Sequence, residues 1–148
     1  MLSRWLTPEK IHVVESVNNW QEAIHRVAAP LIADKCINPK YIDAIFTSHQ
    51  QQGPYYVLAP GLAMPHARPE QGVLRNGLSL LHINQGISFG TPDNDPVYVV
   101  IMLCAISGNE HIAMITQLAE LFSDETRLQT LITANTPESI HTLLANCD

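Results

Sequence analysis

The sequence predicts an α/β fold, a single-domain sandwich in which a mixed β-sheet is flanked by helices on both faces. Three observations lead there. Segments with apolar residues at helical spacing occupy the first and last thirds of the chain. Short strand-like segments occupy the middle, between Tyr55 and Ile106. The last of them, Val97 to Ile106, is continuously apolar, as a strand buried on both faces would be. Helices, then strands, then helices suit a sheet covered on both sides.

In chain order, Ile11 to Val14 reads as a short edge strand. The first helix runs from about Asn19 to Asp34, with Trp20, Ala23, Ile24, Val27, Ala28 and Leu31 on one face. Asn18 or Asn19 can cap it, because a short polar side chain satisfies free N–H groups of the first turn. A second helix starts at Pro39, whose missing N–H costs nothing at a first helical position. It buries Ile42, Ile45 and Phe46 and runs out in Gln50-Gln51-Gln52-Gly53-Pro54. Tyr55 to Leu58 reads as a strand, followed by a turn at Pro60-Gly61 and a resumed strand from Leu62 to Met64. Gly77 to Ile83 and Val97 to Ile106 are the remaining strands, with turn-rich Gly90 to Pro96 between them. A helix from about Glu110 to Phe122 places Ile112, Ile115, Ala119 and Phe122 on one face. Ser123-Asp124 breaks it and caps a helix from about Glu125 to Thr133. A last helix follows Thr136-Pro137 and carries Ile140, Leu143 and Leu144.

Composition excludes several classes. The chain has 148 residues, enough for one core, and no repeat or linker divides it, so residues 1–148 read as one domain. No apolar run approaches the roughly 20 residues of a membrane helix, and no secretory signal opens the chain, which predicts a soluble, cytoplasmic protein. Net charge is −6, and the eight basic residues are scattered, so nucleic-acid binding is not expected. An acidic surface suits a basic protein partner. Cys36, Cys104 and Cys147 are odd in number and widely spaced, which makes no disulfide framework; Cys104 reads as a small core hydrophobe.

Seven histidines raise the question of a metal. No two are closer than about a dozen residues, so no local ligand pair such as H-x-x-x-H exists, and no metal site is expected. His12, His25, His49 and His141 read as surface or element-edge residues, and His82 as a half-buried strand residue. His66 differs. It follows Ala63-Met64-Pro65 where the chain leaves the sheet. Pro65 has a fixed φ and pushes Met64 toward extended geometry, which presents His66 rigidly at a strand end. Small Ala67 leaves the imidazole accessible, and Arg68 adds a nearby cation. A nucleophilic imidazole beside a guanidinium can hold a phosphoryl group. His111 is the second candidate. It lies just past Ser107-Gly108-Asn109-Glu110 at a helix start, where N–H groups and the helix dipole favour anions.

The segment Gly53-Pro54-Tyr55-Tyr56-Val57-Leu58-Ala59-Pro60-Gly61-Leu62-Ala63-Met64-Pro65-His66-Ala67-Arg68-Pro69-Glu70 resembles the enzyme IIA domains of the bacterial phosphoenolpyruvate-dependent sugar phosphotransferase system, mannitol/fructose type. Within it, Ala63-Met64-Pro65-His66-Ala67 looks like the active-site signature whose histidine carries the phosphate. The longer segment looks most like the ascorbate-type and cryptic mannitol-type members. Asn94-Asp95-Pro96-Val97 and Asn109-Glu110-His111 match further landmarks in order. The resemblance implies that Nε2 of His66 accepts a phosphoryl group from the phosphohistidine of the carrier HPr. It implies onward transfer to a cysteine of a cognate enzyme IIB, for a sugar, ascorbate or mannitol, entering through membrane enzyme IIC. His111 and Arg68 would stabilise the charge, and Leu62 and Met64 could line a shallow site. The group moves between protein side chains, so no metal or cofactor is required. Mannitol-type members carry an arginine near the phosphate at the position held here by Gln50, and Arg68 is the candidate to replace it. Three other readings predict different things. A regulatory relay would lack a cognate IIB and IIC, a binding module would use His66 only structurally, and a metal hydrolase would hold zinc.

Overall fold

In chain order the computed structural model, which describes residues 2–146, contains α1 (Leu2–Trp5), a 3₁₀ turn (Pro8–Lys10), β1 (Ile11–Val14), α2 (Trp20–Ala33) and α3 (Pro39–Gln52). Then come β2 (Val57–Ala59), β3 (Leu62–Ala63), a 3₁₀ turn (Pro69–Gln71), β4 (Gly77–Ile87) and β5 (Val97–Cys104). The chain closes with α4 (Gly108–Phe122), α5 (Glu125–Thr133) and α6 (Pro137–Asn146). Cys147 lies outside the described residues. The five strands form one mixed sheet in the order β1-β4-β5-β3-β2. β1 runs parallel to β4 and β3 parallel to β5, while β4–β5 and β2–β3 are antiparallel.

The apolar run read as central does hold the middle of the sheet. Its side chains alternate between two cores from Val99 onward. Val100, Met102 and Cys104 face the core under α2 and α3. Val99, Ile101 and Leu103 face the core under α1, α4, α5 and α6. A strand clamped from both sides must be apolar at every position, which is why it shows no period of two. The expected edge strand β1 is at the edge.

The capping signal at the first helix is also met. The Asn19 side chain accepts from the Glu22 N–H at 2.8 Å, and Glu22 Oε1 accepts from the Asn18 N–H at 2.9 Å. Asn19→Ala is expected to cost about 1 kcal/mol. Urea denaturation measures it, and an unchanged midpoint would show that the cap contributes nothing.

Other expectations shift. The strand expected over Tyr55 to Leu58 starts at Val57, so Tyr55 is released into the turn before it. β4 runs on to Ile87 through a register shift, helped by Gly86 in left-handed geometry at φ 71°. β5 stops at Cys104 because the Ile106 N–H leaves the ladder for the Asn76 side chain at 2.8 Å. α4 starts two residues earlier than expected, at Gly108, since Ser107 caps it. Its buried side is Met114, Leu118, Leu121 and Phe122. Of the expected stripe only Phe122 is buried, and Ile112 is 65% exposed. The helix carries two apolar stripes, and periodicity cannot choose between them. Among the described residues no helix is long and apolar enough to cross a membrane.

Candidate active site

β3 runs parallel to β5, and beyond Ala63 the chain continues as a strap over the carboxyl end of β5. The Leu103 N–H donates to the Pro65 carbonyl at 3.4 Å, and the Met64 N–H donates to Tyr56 O at 2.9 Å. Carboxyl ends of parallel strands leave room for a site, because the chain turns away there on both sides. The strap brings His66 there. β5 then turns into α4 and brings His111 to the same place, with the two imidazole centroids 5.3 Å apart.

Nδ1 of His66 lies 2.8 Å from the Met64 carbonyl oxygen. A carbonyl only accepts, so Nδ1 carries the proton and Nε2 holds the free lone pair. Pro65 makes this local bond possible by fixing the chain between acceptor and ring. Burial pushes the His66 pKa below the ordinary imidazole value. The Met64 bond opposes that shift, and the neighbouring His111 adds to it. Both factors that lower it keep the ring neutral and nucleophilic.

Two tyrosines hold the strap. Tyr41 of α3 is fully buried. Its hydroxyl donates to the Leu103 carbonyl at 2.6 Å and accepts from the Ala67 N–H at 2.9 Å. Tyr55 donates to the His66 carbonyl at 2.7 Å and sets its ring edge-on to the imidazole, centroids 5.9 Å apart.

His66 and His111 open onto a cleft of about 260 Å³ lined also by Ser48, Gln52, Tyr55, Ala67, Arg68 and Gln71. Arg68 is among the lining residues and is the only Arg or Lys there. Its side chain is 79% exposed and sits 4.0 Å from Glu70 Oε1. The His111 N–H donates to the Ser107 carbonyl at 2.9 Å, so its backbone is committed to the helix and only its ring is available. Burial lowers the His111 pKa, and Glu70 opposes that. Nδ1 of His111 is buried with no partner among the described residues, which suits the unprotonated nitrogen and leaves Nε2–H as the donor.

Leu62 and Met64 do not line the cleft. Both are buried in the core under α4, α5 and α6, and the site uses only the Met64 backbone carbonyl. Gln50 is exposed and outside the cleft; α3 presents Ser48 and Gln52 instead, four residues apart on one face. Ser48, Gln52, Tyr55 and Gln71 were not legible in advance. Polar residues at a helix end and in a turn look the same in a sequence whether they face solvent or a cleft.

The remaining histidines are elsewhere. His12 and His25 are exposed. His49 is more engaged than an element-edge residue: it stacks on Trp20 at 3.8 Å between centroids and bonds the Tyr56 hydroxyl at 2.6 Å. His82 is deeply buried, not half-buried, with Nε2 held by the Ile132 carbonyl. Among the described residues no three His, Cys, Asp or Glu side chains gather closely enough to hold a metal ion.

The lowered His66 pKa makes a pH prediction. Where the folded pKa lies below the unfolded one, the unfolded chain binds more protons, so stability is complete above about pH 6.5 and falls as pH drops toward the folded value. For the same reason His66 should stay unprotonated below pH 6.5. Nitrogen-15 NMR titration of the imidazoles checks this: a His66 midpoint at or above 6.5 would contradict it.

Known proteins resemble this chain in sequence and fold. The family model described as "Phosphoenolpyruvate-dependent sugar phosphotransferase system, EIIA 2" matches residues 4–147. The mannitol-specific cryptic phosphotransferase enzyme IIA component of Escherichia coli (strain K12) is 41% identical over 145 residues, 97% of each chain. The solution structure of that type of component from Escherichia coli matches with a TM-score of 0.89, at 40% identity over 98% of both chains. The ascorbate-specific EIIA component of Salmonella typhimurium (strain LT2) is 38% identical over 135 residues, 90% of this chain and 88% of its own. A complex of mannitol enzyme IIA with phosphorylated mannitol enzyme IIB from Escherichia coli matches with a TM-score of 0.80 at 27% identity, over 93% of this chain and 95% of the other.

Proposed function

The chain belongs to the EIIA 2 family of the phosphoenolpyruvate-dependent sugar phosphotransferase system, phosphotransferases that work through a phosphohistidine, and from that premise we propose that His66 is the residue phosphorylated. The single observation that carries this is the bond from Nδ1 to the Met64 carbonyl, which leaves the Nε2 lone pair free on a residue that lines the cleft. His66 takes its phosphoryl group from the phosphohistidine of HPr. The Nε2 lone pair forms the new N–P bond in line as the donor's N–P bond breaks, and that electron pair returns to the donor imidazole. Onward transfer reverses the roles. A thiolate of enzyme IIB attacks phosphorus, and the N–P electron pair returns to Nε2.

The transition state is loose, so the protein's task is placement and charge stabilisation. The Met64 and Tyr55 bonds fix the ring and its backbone. His111 offers Nε2–H to the moving group, and Arg68 offers a cation from the rim. His111 stays neutral at working pH, so it can donate a hydrogen bond without adding a full positive charge that would over-stabilise the phosphohistidine. Docking is supported by Ile112, exposed beside His111, and by Ile106, exposed at the end of β5. Apolar side chains next to a reactive group suit the centre of a protein–protein contact.

The system served takes up mannitol, ascorbate or a related sugar. The relatives named for those two sugars support this, as does the mannitol complex in which an enzyme IIA meets a phosphorylated enzyme IIB. The test supplies phosphoenolpyruvate carrying labelled phosphate, with enzyme I and HPr, and then a candidate enzyme IIB. Acid-labile label should reach this chain only when HPr is present and should pass to the IIB cysteine. A chain that stays unlabelled with active HPr would end the carrier reading.

A further inference from the structure

Gln71 closes the 3₁₀ turn that follows the strap, and its Oε1 accepts the Arg68 N–H at 2.8 Å. A backbone N–H must face an oxygen, so this bond fixes which end of the amide is which. The Nε2 end, with two N–H donors, has no partner among the described residues, and Gln71 lines the cleft with His66 and His111. Resting on the reading that His66 is phosphorylated, we infer that the Gln71 side-chain amide is a phosphoryl-binding group, donating to a terminal oxygen of the group on His66.

The other donors around the cleft explain the need. A phosphoryl group on nitrogen presents terminal oxygens that carry nearly two negative charges. Arg68 is largely in solvent and is drawn toward Glu70, so its charge is partly spent and screened. Gln52 is exposed and has no bond that sets its direction. Gln71 alone among the cleft amides is oriented in advance by its own backbone bond, and donors fixed before the reaction stabilise charge without reorganisation. A neutral amide also holds the group without the deep stabilisation of a buried cation, which suits a carrier that must give the group away.

Two variants separate binding from capping. Gln71→Glu keeps an oxygen for the Arg68 N–H but replaces the donor with a negative charge. Gln71→Met keeps the length and removes both functions without adding charge. The turnover rate of His66 phosphorylation at saturating phospho-HPr should fall roughly 10-fold in Gln71→Met and roughly 100-fold or more in Gln71→Glu. In the wild type, the Gln71 side-chain amide signals in a proton–nitrogen correlation spectrum should move on phosphorylation, a readout that a capping role would leave still. Gln71→Met at the wild-type rate overturns the inference, whatever Gln71→Glu does, since charge repulsion alone would slow the latter. Unmoved Gln71 amide signals overturn it too, and need no variant to fold. An unlabelled wild type would overturn the His66 reading and this inference together, whereas a labelled wild type with unaffected variants overturns this inference alone.

Discussion

His66→Ala should accept no acid-labile label from phosphoenolpyruvate, a fall of roughly 10⁴-fold or more, the scale seen when a nucleophile is removed. The only other imidazole in the cleft is His111, and its ring is held 5.3 Å away between centroids, in the first turn of α4. Its backbone is tied to the Ser107 carbonyl, so it cannot move into the place of His66 without unwinding the helix start. The variant should fold. It loses the bond to the Met64 carbonyl, worth about 1 kcal/mol, and the edge-on contact with Tyr55, while the strap stays anchored through the Ala67 N–H and Pro65 carbonyl. A native-like NMR spectrum would establish that. His111→Ala, by contrast, should slow the transfer while leaving the label on His66, because it removes a charge-stabilising donor and not the nucleophile. Full labelling of His66→Ala would move the nucleophile elsewhere, and His111 would be the next residue to test.

Tyr41→Phe should be a costly single-atom change. The phenolic oxygen lies in the core and ties the strap at Ala67 to the end of β5 at Leu103, beside the backbone bond from the Leu103 N–H to the Pro65 carbonyl. Burial pushes its pKa far up, so it stays a neutral donor at any working pH. Removing the oxygen leaves the Ala67 N–H and the Leu103 carbonyl without this partner, at a cost of roughly 2–4 kcal/mol. The melting temperature should fall on the order of 10 °C. The transfer rate should fall as well, since Ala67 follows His66 directly and a looser strap misplaces the ring. Thermal unfolding followed by circular dichroism checks the first part. An unchanged melting temperature would mean that the hydroxyl's partners find others at no cost.

Much of the architecture could be read from residues because its causes are local or follow from burial. Asn19 caps α2, Pro39 opens α3, and the unbroken apolar run of β5 fits only the middle of a sheet covered on both faces. His66 stood out as a candidate through the resemblance of its segment to the enzyme IIA signature, and its local setting agrees with that. Pro65 fixes the chain between the Met64 carbonyl and the ring, and that geometry spans only three residues.

What sequence pattern could not supply was the choice among equivalent faces and the meeting of distant segments. The chain itself determined the elements, the central strand and the local setting of His66, whose ring bonds to the carbonyl two residues before it. Only tertiary structure decided that α4 buries Met114, Leu118 and Leu121 while Ile112 stays in solvent. It alone brought Ser48, Tyr55, Gln71 and His111 around His66 and turned Leu62 and Met64 inward to the core. The physical reason is that helical period and caps act over a few residues, whereas a cleft is built where strands end. Which polar side chains meet there depends on strand order and on which face each helix covers, and neither leaves a local mark in the sequence.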